Sequence, residues 1–307
     1  MSPSLAPQTR VGQVTIGKCR RRRRDPLESL AMNTAICDLS TLAAAVPNGA
    51  KVAVPTDRCG VAMALTRELI RQRVRGLHLV CVPVSGLQAE VMIGAGLVAT
   101  LETSAVTLDE FGPAPRFVAA VREGSVKLLD ATCPAIHAAL QAGQKGLPFI
   151  PLRGLIGTDV LANRPDWKVI DNPFQGGDPI VVLPAIRPDF ALFHAPLADR
   201  YGNVFIGRWR ELLTMAHASH QTLVTVEEIS DTDLMSDLDR APGVIPSVYI
   251  TAIAKAPRGA WPLQLGDTYG IDETALVSYV DAAQTARGFE RWIAEWLAPT
   301  APAKALA

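Results

Sequence analysis

Two adjacent acids in a short glycine-containing segment are the first residues of this sequence that could perform chemistry. Asp109 and Glu110 lie in LDEFG (108–112), directly after a predicted strand. Two carboxyl groups at a cleft can raise one another's pKa, and one of them can then act as a general base for water. Alternatively, both are solvated, or they cap the helix that we expect from Pro115. We predict that Asp109 and Glu110 are the catalytic residues.

Polar residues after two other predicted strands could hold an anionic substrate. In open α/β sheets, ligands collect at the carboxyl ends of the strands, where loop amides and helix N-termini converge. Thr56 or Asp57 could instead cap the helix predicted from Gly60. The binding residues predicted on this ground come from the segments PTDRCG and VSG, and they are Thr56, Asp57, Arg58, Ser85 and Gly86.

A further candidate for binding an anion is Arg153. It lies in a loop with Gly154, Gly157 and Asp159. A guanidinium group can hold a carboxylate or a phosphate through two parallel hydrogen bonds, so Arg153 is predicted as a binding residue. The alternative is that Arg153 is tied to Asp159 or to a carbonyl group.

The segment FHAPLADRYGNVFIG (193–207) crowds polar residues at the end of a predicted strand. As a catalytic base, His194 would need an orienting carboxylate, which Asp199 could supply. We favour a structural interpretation, in which Gly202 permits a positive φ while Asp199 and Asn203 satisfy the backbone of a turn. Asn203 is kept as a predicted substrate-binding residue that lines the pocket.

The elements that must position these residues alternate between strands and helices. KVAVP (51–55) predicts a strand, and Val61, Leu65 and Leu69, spaced four apart, predict the buried stripe of a helix. LHLVCVPV (77–84) is so continuously apolar that both of its faces should be covered. We therefore predict an α/β fold with a mostly parallel, doubly wound sheet and helices on both faces, in three layers.

Other parts of the chain are less regular or lie outside this alternation. Residues 147–179 are rich in proline and glycine and are predicted to form a long loop with room for a β-hairpin. A single final helix is predicted over residues 273–297. The predicted organisation is a flexible arm over residues 1–31 that contains the five consecutive arginines Arg20 to Arg24, a single domain over residues 32–300 and a tail over residues 301–307.

The charge balance and the cysteines limit the possible partners. Lysine plus arginine and aspartate plus glutamate both number 30, so the overall charge does not indicate a nucleic acid or an anionic membrane. The five cysteines are widely spaced, without a CxxC pair or a histidine at metal-ligand spacing. We therefore expect a cytoplasmic protein without a metal site.

Five segments spread over the chain together resemble one known family. They are LIRQRVRGLHLV, MIGAGLVATLETSAVTLDEFGPAPRFVAAVREG, HAALQAGQKGLPFIPLRGLIGTD, DFALFHAPLADRYGNVFIG and VIPSVYITAIAKAPRGAWP. The most specific piece is the pattern HAxxADxxGN from His194 to Asn203. The sequence resembles the A-type (alpha) subunit of the family I CoA-transferases, which include glutaconate CoA-transferase.

This resemblance implies an α/β subunit that pairs with a homologous B (beta) subunit, as α2β2, with the active site between them. In that family the thioester is attacked by a glutamate of the B subunit, which gives an anhydride and then a glutamyl-CoA thioester. The B-type motifs Glu-Asn-Gly and Glu-Gly-Gly do not occur in this sequence. We therefore expect the chain to be inactive alone, to use coenzyme A as a co-substrate and to hold no tightly bound cofactor.

Two departures from the family pattern concern the predicted site. Where the family commonly has Gly-Gly-Phe after the first strand, this chain has Pro55, which lacks an N–H donor. Either Thr56 and Arg58 replace that donor, or the pocket serves different chemistry. Where the family often has Phe-Glu-Gly-Phe-Gly, this chain has Asp109 and Glu110. A related two-subunit hydrolase, which opens the last steroid ring as a CoA thioester, is thought to place an A-type carboxylate near this region.

The function predicted from the sequence is therefore the A subunit of an enzyme that acts on acyl-CoA thioesters. Transfer of CoA between carboxylic acids is the leading prediction. Hydrolysis of a cyclic or steroid-derived CoA thioester by the same fold is the first alternative. A non-catalytic ligand-binding or scaffolding protein is the second, and a sugar-phosphate isomerase or sensor ranks last because it leaves the HAxxADxxGN pattern unexplained.

Overall fold

The computed structural model describes residues 34–298, so the predicted arm (1–31) and tail (301–307) lie outside the described residues. The strands are β1 (Ala35–Cys37), β2 (Lys51–Pro55), β3 (Leu77–Val82), β4 (Val84–Ser85), β5 (Val98–Thr103), β6 (Ala105–Val106), β7 (Lys127–Asp130), β8 (Phe149–Leu152), β9 (Lys168–Asn172), β10 (Gln175–Pro184), β11 (Phe190–Asp199), β12 (Val204–Phe205), β13 (Gln221–Ser230), β14 (Val244–Ile245) and β15 (Ala252–Lys255). The helices are α1 (Leu39–Ala44), α2 (Met63–Arg71), α3 (Leu87–Gly94), α4 (Pro115–Glu123), α5 (Cys133–Gln144), α6 (Asp159–Ala162), α7 (Arg210–Ala218), α8 (Glu273–Ala283) and α9 (Ala286–Leu297).

The main sheet confirms the predicted doubly wound α/β fold. Eight strands run parallel in the order β1-β15-β13-β11-β2-β3-β5-β7, and the short strands β12 and β14 extend the sheet from β11 in antiparallel pairs. From β2 the chain moves outward through β3, β5 and β7, and it later returns to the other side of β2 with β11. Strand order therefore reverses between β2 and β11, and ligands of such sheets bind outside the carboxyl ends of the strands at this reversal.

Apolar side chains cover both faces of the central strands. Along β2, Val52 and Val54 point into one core, whereas Ala53 points into the other, because successive side chains of a strand alternate between faces. The same alternation along β3 separates Leu79 from Val80. The prediction that both faces of this strand are covered is confirmed.

Helix α2 shows how the sequence pattern places a helix on the sheet. The predicted stripe of Val61, Leu65 and Leu69 is fully buried. The helix itself begins at Met63, so Val61 belongs to the preceding turn rather than to the first helical turn. The apolar spacing thus identified the buried side correctly and the start of the helix only approximately.

The middle of the chain is more ordered than the predicted loop. Strands β8, β10 and β9 form a separate three-stranded antiparallel sheet, in which β9 and β10 make the expected hairpin. Val181 and Leu183 are buried on β10, but four of the five residues of β9 are exposed. A strand with so few buried positions produces little alternation in its sequence, which is why the prediction of a long loop was wrong here.

A buried ion pair attaches this small sheet to the main one. Arg164 follows α6, is only 3% exposed, and donates to the Glu102 carboxylate of β5 at 2.8 Å and to the Asp130 carbonyl at 3.2 Å. Burial by itself would raise the pKa of Glu102, but hydrogen bonding and charge from His78, Lys51 and Arg164 outweigh it and lower the pKa to about 2.

The single final helix predicted over residues 273–297 is two helices. Residue Thr285 has an extended backbone, with a ψ of 150°, and its side chain accepts a hydrogen bond from the Gly288 amide. It therefore caps a new helix, α9, instead of continuing α8. Within residues 34–298, none of the helices is long and apolar enough to cross a membrane.

The carboxylate of Glu90 connects helices α3, α4 and α8 through hydrogen bonds. It lies on α3, is fully buried, and accepts hydrogen bonds from the Arg116 and Phe117 amides at the start of α4, both at 2.7 Å. The Tyr279 hydroxyl of α8 donates to the same carboxylate at 3.0 Å. Burial raises the pKa of Glu90. The start of α4 is therefore capped from a neighbouring helix, and not by Asp109 or Glu110.

We expect Glu90→Ala to lower the free energy of unfolding by about 2–4 kcal/mol, because it leaves two helix-terminal amides without an acceptor. Tyr279→Phe removes one hydroxyl donor and should cost about 1 kcal/mol. Urea unfolding measures both. The control is Glu123→Ala, which removes an exposed glutamate of α4; a loss for Glu90→Ala no larger than that of the control would contradict the capping role.

Candidate active site

Loops from three neighbouring strands meet at the carboxyl edge of the main sheet. The Asp57 carboxylate, after β2, accepts hydrogen bonds from the Gly86 amide at 3.1 Å and the Leu87 amide at 2.8 Å. The Arg58 guanidinium lies 3.6 Å from the Asp109 carboxylate and 3.4 Å from the Glu110 carboxylate. The structure therefore brings the predicted residues of PTDRCG, VSG and LDEFG together.

These loops enclose a cavity of about 130 Å³, which we call the Arg58 cleft. One wall is polar and consists of the loops after β2 and β6, and the other comes from the segment before α8 and from α8 itself. The residues that line the Arg58 cleft are Asp57, Arg58, Leu108, Asp109, Glu110, Phe111, Leu263, Gln264, Ile271 and Leu276.

Asp109 and Glu110 are solvated at the mouth of the cleft. Their side chains are 51% and 60% exposed, and that of Arg58 is 60% exposed. Exposed ion pairs of this kind contribute little to stability, so these charges are free to rearrange around a ligand. Asp109 has a φ of 51°, a conformation that aspartate tolerates better than most residues. The catalytic assignment of both acids stays a prediction.

Asp57 lies deeper and caps a helix other than the one that follows it in sequence. Helix α2 begins at Met63 without a side-chain cap, and the Asp57 oxygens instead satisfy the amides at the start of α3. The interpretation of Asp57 as a cap for its own following helix was wrong, because β2 and β3 are neighbours and the turn after β2 lies against the start of α3. Burial raises the pKa of Asp57 to about 7, against the lowering effect of the two amides.

Thr56 and Ser85 are less available to a ligand. The Thr56 hydroxyl donates to the Cys59 sulfur at 3.0 Å, and the Cys59 amide donates to the Thr56 carbonyl, so both groups close the turn after β2. Burial raises the pKa of Cys59 to about 11, which keeps the thiol protonated. Ser85, the residue before Gly86, is only 1% exposed, so its hydroxyl is shielded from the cleft. The substrate-binding roles of Thr56 and Ser85 stay predictions.

The structure does not bring Arg153 or Asn203 into the Arg58 cleft. Arg153 follows β8, and its guanidinium forms two hydrogen bonds with the Asp178 carboxylate of β10, so its partner is neither Asp159 nor a carbonyl. Asn203 is 7% exposed; its amide donates to Asp199 and its carbonyl accepts from the Ser247 amide. Both side chains are engaged within the chain, and their predicted binding roles gain no support from these contacts.

The polar residues of the HAxxADxxGN pattern make hydrogen bonds within the chain that stabilise its fold. Asp199 is fully buried and accepts hydrogen bonds from the Tyr201, Asn203 and Leu234 amides. Gly202 has a φ of +90°, as expected for the turn. His194 is fully buried too, but Asp199 is not its partner. The His194 ring contacts the Thr225 hydroxyl and the Glu227 carboxylate, each at 2.8 Å.

Glu227 is the important residue that the sequence interpretation missed. Besides His194, it accepts hydrogen bonds from the Arg258 amide at 2.7 Å, the Gly259 amide at 3.1 Å and the Tyr269 hydroxyl at 2.8 Å. Burial would raise the pKa of Glu227, but these donors outweigh it and lower the pKa to about 2. One signal could have found it: along β13, Thr225 and Glu227 share the face opposite to the apolar Val224 and Val226.

The segment that carries these donors forms the wall between two cavities. Leu265 and Tyr269 pair across a tight turn, with the Leu265 amide donating to the Tyr269 carbonyl at 3.0 Å. Leu263 and Gln264 line the Arg58 cleft on one side of this turn. Leu265 lines a second cavity, of about 290 Å³, on the other side. We call this second cavity the Trp209 pocket, and its other wall is formed by Pro196, Phe205, Ile206, Trp209 and Leu212.

Comparison with known proteins agrees with this architecture. The model of the coenzyme A transferase family matches residues 38–256. The chain therefore belongs to the coenzyme A transferase family, and it is of the A (alpha) type.

Among its relatives, the A-type chain of the 3-oxoadipate CoA-transferase of Pseudomonas knackmussii is 33% identical over 77% of this chain and 84% of its own length. The cholesterol ring-cleaving hydrolase IpdA subunit of Rhodococcus jostii is 27% identical over 76% and 82%. The crystal structure of glutaconate coenzyme A-transferase from Acidaminococcus fermentans superposes with a TM-score of 0.80 and 26% identity, covering 86% of this chain and 89% of that chain. The chain spans 53% of the length of another relative, an uncharacterised protein of Archaeoglobus fulgidus.

We expect Gly259→Ala to destabilise the protein by about 1–3 kcal/mol, because a methyl group there would lie 2.6 Å from Nδ1 of the buried His194 ring. Thermal unfolding of the variant measures this loss. Gly270→Ala is the matched control in the same segment, since a methyl group there meets no atom within 4 Å. Equal melting temperatures for the two variants would contradict the role of Gly259 in seating His194.

The raised pKa of Asp57 predicts a stability change with pH. Between the ordinary aspartate value of 3.8 and about 7, the folded state holds the proton and the unfolded state does not, so the contribution of Asp57 to stability falls as the pH rises. Asp57→Asn, which cannot lose a proton, should therefore lose more stability relative to the wild type at pH 5 than at pH 8. Urea unfolding at both pH values tests this, with the exposed Asp281→Asn as control. The same loss at both values would contradict it.

Proposed function

We propose that the chain is the A (alpha) subunit of a heteromeric enzyme that acts on acyl-CoA thioesters and transfers CoA between carboxylic acids. The observation that carries this proposal is the coenzyme A transferase match over residues 38–256. The similarity to the A-type chains of the 3-oxoadipate and glutaconate CoA-transferases supports it. In this proposal coenzyme A is a co-substrate, and no cofactor is bound tightly.

The chemistry requires a second subunit. The sequence lacks the Glu-Asn-Gly and Glu-Gly-Gly motifs that hold the nucleophilic glutamate in the family, so the proposed nucleophile belongs to a homologous B subunit. The Arg58 cleft supports this view, because its volume of about 130 Å³ is well below the roughly 300–1,000 Å³ of sites that enclose a ligand. A partner over the carboxyl edge would complete the walls. We propose an α2β2 assembly in the cytoplasm.

The residues of this chain would then attract the substrate carboxylate and position the loop that faces it. The B-type glutamate forms a bond to the thioester carbonyl carbon and the C–S bond breaks, releasing the CoA thiolate and leaving an acyl-glutamyl anhydride. Arg58, at the mouth, is the cation on this side of the cleft that can attract a substrate carboxylate. The Asp57 carboxylate holds the Gly86 and Leu87 amides in place and so positions the loop that faces the substrate.

One observation favours a second function, hydrolysis of a CoA thioester. Asp109 and Glu110 together place two carboxyl groups against the single guanidinium of Arg58, so the mouth carries an excess of acid. A carboxylate at such a position can take a proton from water, and an excess of negative charge disfavours an anionic acceptor acid. This alternative agrees with the similarity to a cholesterol ring-cleaving hydrolase subunit.

We expect the purified chain to show no thioester turnover alone and to gain turnover when it is combined with a B-type subunit. With an acyl-CoA substrate, a transferase needs an added carboxylic acid and produces a new acyl-CoA, whereas a hydrolase releases free CoA without one. Chromatography of the CoA species separates these outcomes. No turnover with any B-type subunit would contradict both functions and leave a non-catalytic binding protein.

The two acids give a second test on the same complex. In a hydrolase, Asp109→Asn or Glu110→Gln should lower kcat by about 100-fold or more, because general-base catalysis contributes about 10²–10⁴. In a transferase, whose nucleophile lies on the other chain, both variants should keep transfer within about tenfold. Glu123→Gln, on the exposed side of α4, is the control for a changed surface charge.

A further inference from the structure

The Trp209 pocket has the features of a ligand site that the proposed chemistry leaves unexplained. Its volume of about 290 Å³ is more than twice that of the Arg58 cleft, about 130 Å³. It opens beside the reversal of strand order between β2 and β11, since Gly60 of the loop after β2 and His194 of β11 both line it. We propose that the Trp209 pocket binds a small monocarboxylic acid, with the hydrocarbon inside and the carboxylate at Arg208.

The interior of the pocket fits a hydrocarbon. Its walls are the side chains of Phe205, Ile206, Leu212 and Leu265, together with the Trp209 ring. His194 contributes no free hydrogen-bonding group, because its two ring nitrogens contact Thr225 and Glu227. An apolar group that enters such a cavity loses contact with water without leaving a polar group unpaired, which is favourable.

The mouth of the pocket fits a carboxylate. Arg208 is exposed there and stacks over the Trp209 ring, with its guanidinium carbon 5.0 Å from the ring centre. Among residues 34–298, no carboxylate lies within 4 Å of this guanidinium, in contrast to Arg58, which faces Asp109 and Glu110. Its donors are therefore available for a bidentate hydrogen bond to an acid.

The charge at the mouth selects for one carboxylate. Asp267 also lines the opening, so a single cation and a single anion face the solvent side of the ligand. A second carboxylate on the ligand would either enter the apolar interior or approach Asp267, and both placements are unfavourable. A monocarboxylate should therefore bind better than a dicarboxylate of the same length.

The volume limits the size of the acid. A water-sized group takes up about 30 Å³, so about 290 Å³ holds roughly ten non-hydrogen atoms. Hexanoate and benzoate are within this limit, and a twelve-carbon chain or a steroid acid exceeds it. This inference rests on the proposed function for its meaning, because the bound acid belongs to the class of acids that exchange CoA and its site lies beside the Arg58 cleft rather than in it. The binding itself can be measured without turnover.

Ligand-observed NMR titration of the full-length chain tests the proposal, because all the residues that line the pocket belong to this chain. The probes are hexanoate, hexylamine, adipate and dodecanoate. We expect saturable binding of hexanoate in the millimolar range or tighter, and at least tenfold weaker binding of the other three. Absence of hexanoate binding, or binding of hexylamine or adipate with equal strength, would overturn the proposal.

Matched variants connect the binding to this pocket. Arg208→Gln should weaken hexanoate binding about tenfold or more, whereas Arg210→Gln, which removes an exposed arginine outside the pocket lining, should not. Thr268→Trp at the mouth should abolish binding, and the exposed Thr232→Trp should leave it unchanged. Hexanoate binding that both pocket variants leave intact would overturn the assignment.

The same variants in the complex with a B-type subunit separate this inference from the proposed function. If thioester turnover occurs and hexanoate binding does not respond to the pocket variants, the pocket assignment alone fails. If hexanoate binds in the pocket and no acyl-CoA is turned over, the proposed function alone fails.

Discussion

The carboxylate of Glu227 is the group that holds the geometry of the carboxyl edge. It accepts hydrogen bonds from the His194 ring of β11, from the Arg258 and Gly259 amides after β15, and from the Tyr269 hydroxyl. These groups belong to three separate parts of the chain. A single half-buried acceptor that satisfies all of them holds the segment between β15 and α8 against the sheet. This segment is the wall shared by the Arg58 cleft and the Trp209 pocket.

A close backbone contact connects this network to the loop of the candidate active site. The His194 amide donates to the Gly60 carbonyl at 2.7 Å, and a side chain at Gly60 would collide with the His194 carbonyl. The loop after β2 is therefore fixed to β11 at Gly60 and to α3 through Asp57. Between these two attachments, Arg58 remains exposed. The polar groups that are buried here serve the architecture, and the exposed ones are left for a ligand.

The chain presents its candidate site as one open side of a cleft. Arg58, Asp109 and Glu110 are half or more exposed, although they lie at the position where doubly wound sheets bind ligands. In water, such charges interact weakly with one another and with a substrate. A partner subunit that covers this edge would exclude water and strengthen each of these interactions, which is the physical basis of the proposal that the site is shared with a second chain.

The amino-acid sequence was enough to predict the alternation of strands and helices around a mostly parallel sheet, the family and the three loops that meet at the carboxyl edge. Apolar periodicity and strand-end polar residues are local properties of the chain, and parallel strands bring their carboxyl ends to one edge. Three contacts became visible only in the folded chain: Glu227 rather than Asp199 is the partner of His194, Asp57 caps α3, and Arg153 pairs with Asp178. Each of them joins residues at least 25 positions apart, and a hydrogen-bond partner at that separation depends on register and packing, which no local pattern records.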